Sequence, residues 1–136
     1  MSTSEQTANA QLDASSALAN LYATVPLMRG SLVASVDGRV LAAELDESRQ
    51  DAIAAVVASG FALGGKLAEV IGKSGVDEMT VQTDDGAISL YSVGDRAVLA
   101  TMAMPDANLG LLNLHARKAA ETLSSLIPAL LEGSSP

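Results

Sequence analysis

Apolar positions along this chain switch between helical and strand spacing several times, in an order that predicts a layered domain. Leu12, Leu18, Leu21, Tyr22 and Val25 fall near helical spacing and predict a first helix of about three turns, stopped by Pro26. Ser31 to Val36 alternates, with Leu32, Ala34 and Val36 on one face. Asp37-Gly38 is then a hairpin signal, and Arg39 to Leu45 reads as the return strand. Ser48, with Asp51 three residues on, reads as the cap of a second helix that runs to about Ile71 and ends at Gly72. Met79 to Thr83 alternates again, Asp84-Asp85-Gly86 turns the chain, and Ala87 to Val93 returns before Gly94-Asp95 turns it once more. Ala97 to Met104 is almost wholly apolar, which predicts a central strand covered on both faces. Pro105 breaks it. Asp106 or Asn108 caps a last helix, whose apolar stripe runs from Leu109 through Leu112, Ala116, Ala120, Leu123 and Ile127 to Leu130. Pro128 lies inside that stripe and marks a kink or an end.

The element order is α-β-β-α-β-β-β-α. Consecutive hairpins force antiparallel pairing, so the predicted fold is α+β: a five-stranded antiparallel sheet with one helix on one face and two on the other. The length suits one domain, placed at residues 12–131, with 1–11 and 132–136 read as disordered segments.

The second helix carries more apolar surface than this layout needs. From Ala52 to Gly65 the chain runs fourteen residues without a charge. That run falls short of the roughly 20 residues a bilayer requires, so no membrane insertion is expected. Val56, Leu63, Leu67 and Val70 lie on one flank and Val57, Phe61 and Ala68 on the other. Ile53, Gly60, Gly64 and Ile71 fall between them. This arc is wider than one sheet face requires, so part of it is expected to be covered by a second copy of the chain. Each interior glycine costs about 1 kcal/mol against Ala. Gly60 and Gly64 share a face, which allows either close packing on the chain's own sheet or close approach of a twin helix. The third strand lacks Lys or Pro to protect an open edge. Its Thr80 and Gln82 are therefore candidate pairing positions, while Asp77, Glu78, Asp84 and Asp85 supply the alternative of a solvated, charged edge.

Composition narrows the chemistry. The net charge is −8 with no basic stripe, which disfavours nucleic acid and anionic lipid as partners. Tyr22, Phe61 and Tyr91 are the only rings, too few for a stacking platform. There is no Cys, hence no disulfide framework or thiolate chemistry. Residues 1–11 are polar and do not resemble a signal peptide, which makes the cytoplasm the default expectation. Gly72-Lys73-Ser74 imitates part of a phosphate loop. However, Leu67 stands where the first Gly is needed, and a helix precedes where a strand should, so it reads as a helix C-cap. His115 is the only histidine, so no His-pair metal site is available. Asp46-Glu47 and Asp84-Asp85 are explained by helix and turn chemistry. No base-and-orienter set surrounds any serine. The expectation is no catalytic, cofactor or metal site, and no enzyme.

Gly30-Ser31-Leu32-Val33-Ala34-Ser35-Val36-Asp37-Gly38-Arg39-Val40-Leu41-Ala42 resembles the first hairpin of the Roadblock (dynein light-chain Roadblock) family. The Ala-rich helix after it, Gly94-Asp95 before an apolar strand, and Asn108-Leu109-Gly110-Leu111 opening a final helix are similar too. The bacterial members that regulate small Ras-like GTPases are the nearest in character. The resemblance implies a dimer in which second helices pack together and third strands pair, making one continuous sheet on which a GTPase docks. On this chain the implied interface comprises Ile53, Val56, Val57, Gly60, Phe61, Gly64 and Leu67 of the second helix, with Thr80 and Gln82 of the third strand. The expected function is a homodimer that binds and regulates a small Ras-like GTPase. One route to activation is an arginine inserted in trans, for which Arg29, Arg39 and Arg49 are equal candidates. The alternatives are a scaffold subunit, or a small-molecule sensor of the PAS or profilin-like kind. The small side chains and scarce aromatics disfavour the pocket a sensor needs.

Overall fold

The strand that reads as central is central. In the computed structural model, which describes residues 2–133, nine elements follow one another: α1 (Thr3–Thr24), β1 (Met28–Ser35), β2 (Val40–Glu44), α2 (Glu47–Val70), β3 (Glu78–Thr83), β4 (Gly86–Val93), β5 (Ala97–Ala103), α3 (Leu109–Ser124) and α4 (Ile127–Gly133). The strands form one antiparallel sheet in the order β2-β1-β5-β4-β3. Period-two alternation sends Ala97, Leu99 and Ala103 of β5 to one side and Val98 and Ala100 to the other. The first side is closed by α1, α3 and α4 around Leu18, Leu21, Leu112, Leu123 and Leu130. The second is covered by α2 alone, through Ala54 and Val57 over Leu32, Ala34 and Leu90.

The structure corrects four expectations in detail. The last apolar stripe is two helices: α3 ends at Ser124, and Pro128 sits in the first turn of α4, where its missing N–H costs nothing. The second helix is capped by Asp46, whose carboxylate accepts from the Ser48 N–H, and not by Ser48. Residues 3–11, read as disordered, are the first turns of α1, which is 22 residues long and capped by Ser2. Tertiary contacts hold this polar start: Ala10 is buried, Gln11 Nε2 donates to the Leu41 carbonyl at 3.1 Å, and the Thr7 hydroxyl donates to the Ala129 carbonyl. Of the segment 132–136, Glu132 and Gly133 close α4; the remainder lies outside the described residues.

Buried polar groups lie in a row beneath α1 and α3. Ser31 of β1 pairs with Thr101 of β5, and Thr101 with Ser89 of β4. The row reaches the sheet edge at Thr80, whose hydroxyl is 3.0 Å from that of Ser89. Ser31 Oγ is buried with no hydrogen-bond partner. Close by, burial pushes the Tyr91 phenol above its ordinary range, and its hydroxyl donates to Asn113 Oδ1 of α3.

Candidate functional site

The sheet face under α2 and the outer side of α2 carry the surface of interest. α2 starts beside the end of β2 and crosses the sheet obliquely. Ala55 and Ala58 lie by Gly38 in the β1–β2 turn, Gly60 lies over Leu90 of β4, and Gly64 over Met79 of β3. Its inner side is therefore fixed by its own sheet. Its outer flank is not: Val56, Leu63, Leu67 and Val70 are between 60 and 81% exposed. The flank that stays open is the one that begins with Val56, and the flank with Val57 and Phe61 is the one that packs inward.

Beside this flank runs β3, paired only with β4, so its other edge offers free backbone groups. Alternation turns Val81 to the α2 side, where it is exposed. Thr80 and Gln82 turn to the opposite side, both exposed. At the start of the strand Arg117 of α3 forms an ion pair with Glu78. Carboxylates at Asp84 and Asp85 stand at its far end, in a turn that Thr83 stabilises by accepting from the Asp85 N–H.

The expected interface residues divide accordingly. Val56, Leu67, Thr80 and Gln82 are exposed; Ile53, Gly60 and Phe61 are half-buried; Val57 and Gly64 are buried. Val57 and Phe61 belong to the chain's own core, and the Gly60–Gly64 stripe faces the sheet. Gly64 in particular gives room to Met79, so these two glycines face the chain's own sheet. Conversely, Leu63, Val70, Ile71 and Val81 are exposed beside the expected set and were not in it. The helical spacing of Leu63 and Val70 with Val56 already placed the first two together on a flank; what it lacked was which flank the sheet would claim.

No group of three or more metal-ligating side chains occurs among the described residues. Gly72-Lys73-Ser74 is a helix end: Gly72 has φ +79°, and the Lys73 and Gly72 N–H groups return to the Ala68 and Glu69 carbonyls in a Schellman arrangement. Of these three arginines, Arg29 donates to the Asp85 carbonyl at 2.8 Å, Arg39 pairs with Asp37, and Arg49 is exposed in the first turn of α2. The Ser35 hydroxyl, followed by Arg39, holds the Asp37 carboxyl below the usual carboxylate range. His115 is half-buried on α3 beside Ala17 and Leu21 of α1. As a complete helix α2 is 24 residues long and, by length and composition, apolar enough to cross a membrane. Only 22% of its most apolar window is buried, but its span includes Arg49, Asp51, Lys66 and Glu69, and its inner side is packed on the sheet.

Comparison with known proteins places this geometry. The Roadblock/LC7 domain model matches residues 16–103. A structure of MglB with a tetrameric arrangement is 25% identical, covers 89% of this chain and 92% of its own, and superposes with a TM-score of 0.82. The gliding protein MglB from Thermus thermophilus is 24% identical over 86% of this chain and 90% of that one, with a TM-score of 0.79. Profilin IA from Acanthamoeba castellanii shares the fold at 16% identity, covering 85% and 96%, with a TM-score of 0.55. No curated protein matches the chain by sequence.

Proposed function

Since this chain belongs to the Roadblock/LC7 domain family, we propose that it is a non-enzymatic homodimer that binds and regulates a small Ras-like GTPase. The observation that carries the reading is the open apolar flank of α2 lying alongside the unpaired edge of β3. Burying one such side chain is worth about 1.5–3 kcal/mol. Association costs roughly 4–15 kcal/mol. Val56, Leu63, Leu67 and Val70, contributed by both copies, supply apolar burial on the scale needed. Edge pairing at Thr80 and Gln82 adds main-chain hydrogen bonds and closes an edge that otherwise invites aggregation.

The dimer then offers a composite surface, from the two α2 helices and nearby strand ends, to a GTPase. It regulates by binding one nucleotide state more tightly than the other, since only differential affinity shifts such an equilibrium. Switch loops are the natural target because their order depends on the γ-phosphate. The experiment is capture of small GTPases loaded with GDP or a GTP analogue, alongside mass by light scattering. State-dependent capture by a dimer supports the reading. Equal or absent capture supports a scaffold subunit in its place.

A further inference from the structure

α1 and α3 lie side by side on the face of the sheet opposite α2, and a groove runs between them. Asp13 and Ser16 of α1 share an open depression of about 680 Å³ with Thr122 and Ser125 at the end of α3. Asn20 and Thr24 share a second, of about 190 Å³, with His115 and Lys118. These pairings make the two helices antiparallel. Ala17, Asn20 and Thr122 line both depressions, so the groove is continuous. From Asp13 to Thr24 it runs about 16 Å at the α-helical rise. Ala17 and Ala119 form its floor and pack against the core below.

The rims of this groove are polar and unused by the fold. Among the described residues, the side chains of Asp13, Ser16, Asn20, His115, Lys118 and Thr122 form no hydrogen bond or ion pair. Arg29, Arg39 and Arg117, by contrast, are each paired with a carboxylate. The charges in the groove are also sorted. Asp13, at one end, is the only acidic lining residue, and Lys118, at the other, is the only Lys or Arg.

A docked helix needs an apolar groove, and a proline-rich segment needs an aromatic one. Leu21 and Leu126 are the only large apolar residues lining this groove, and no Phe, Tyr or Trp does. An extended chain instead presents backbone N–H and C=O groups along both edges, and rims of hydroxyls and an amide can donate to and accept from them. The geometry points to a binding site for an extended segment of a partner protein, its basic side chain at the Asp13 end and its acidic side chain at the Lys118 end. Two such side chains five positions apart span about 16 Å of extended chain, the length of the groove. The site is independent of the homodimer reading, since it lies across the sheet from α2. A protein held there leaves the α2 surface open, so one chain joins two partners.

The test titrates the isotope-labelled full chain with two capped hexapeptides at low salt, Lys-Thr-Val-Thr-Val-Glu and Glu-Thr-Val-Thr-Val-Glu. Amide shifts at Asn20, Thr24 and Thr122 are expected, with the mixed-charge peptide bound about threefold to fivefold more tightly. Asp13→Lys makes both ends of the groove basic at an exposed position, and it should invert that order in favour of the all-Glu peptide. A merely structural role for Asp13 produces no such inversion. Shifts in the groove together with the inversion support the site. Amides of the groove that respond to neither peptide, or an Asp13→Lys chain that does not prefer the all-Glu peptide, would overturn it.

Discussion

The α-carbon of Gly64 faces the sulfur of Met79: a side-chain carbon at position 64 would stand 2.7 Å from Met79 Sδ. A side-chain carbon at the neighbouring Gly65 would meet no other part of the fold within 4 Å. Two adjacent helical glycines therefore carry opposite expectations. Gly65→Ala should stabilise the fold by up to about 1 kcal/mol through helix propensity alone. Gly64→Val should destabilise it by about 1 kcal/mol, because the Met79 side chain must swing out of its place against the helix. Denaturant midpoints of the two variants check the pair, and equal shifts in the same direction would contradict the assigned faces.

Leu63 separates the proposed dimer contact from folding. Its side chain is 60% exposed on the open flank of α2. Leu63→Glu should leave the circular dichroism spectrum unchanged and convert the dimer to a monomer in light scattering. Gly60 is less suitable for this purpose, since a side chain there meets Leu90 of its own sheet.

Removing residues 2–11 should lower stability by at least about 2 kcal/mol. The deletion removes the buried Ala10 and the bonds from Gln11 to Leu41 and from Thr7 to Ala129. A thermal melt within error of the full chain would show that the start of α1 contributes no fixed contacts.

Ser31→Ala should be neutral or stabilising by about 1 kcal/mol, since it deletes a buried hydroxyl without a partner. Ser89→Ala is the contrast, because that hydroxyl is bonded to Thr80, and it should destabilise by roughly 1 kcal/mol. Parallel chemical denaturation of the two alanine variants decides the point.

Tyr91 sets an alkaline limit. Its folded pKa lies above the ordinary value, first because of burial. A raised folded pKa means that stability is fully present below about pH 10, the unfolded value, and is lost as pH rises toward the folded one. Tyr91→Phe removes that loss, so its stability should fall less steeply above about pH 10. It should also cost about 0.5–1.5 kcal/mol at neutral pH, through the lost bond to Asn113. Stability curves taken across that range test both halves.

The strands, hairpins and central position of β5 were legible because period-two alternation and turn residues act locally. The start of α1 was not, because it is polar. Thr7 is held by Ala129, 122 residues away, and Gln11 by Leu41, 30 residues away. Neither pair shares a window short enough for periodicity to reveal it. The same limit applied to α2. Its surplus of apolar surface was readable from Ala52 to Gly65, and so were its two flanks. Which flank the sheet would claim depended on the crossing direction of the helix, which Gly38 and Met79 fix from distant parts of the sheet. The glycine stripe therefore read equally well as serving a sister helix or the helix's own sheet, and the structure shows it serving Met79.

The bond from Thr7 to Ala129 ties the first helix to the last on the side of the sheet away from α2. Reporter proteins or surface tethers attached through either of these helices would hang from the back of the molecule. A sensor chip loaded that way would leave α2 and β3 facing the solution, ready for partner titration without reorientation.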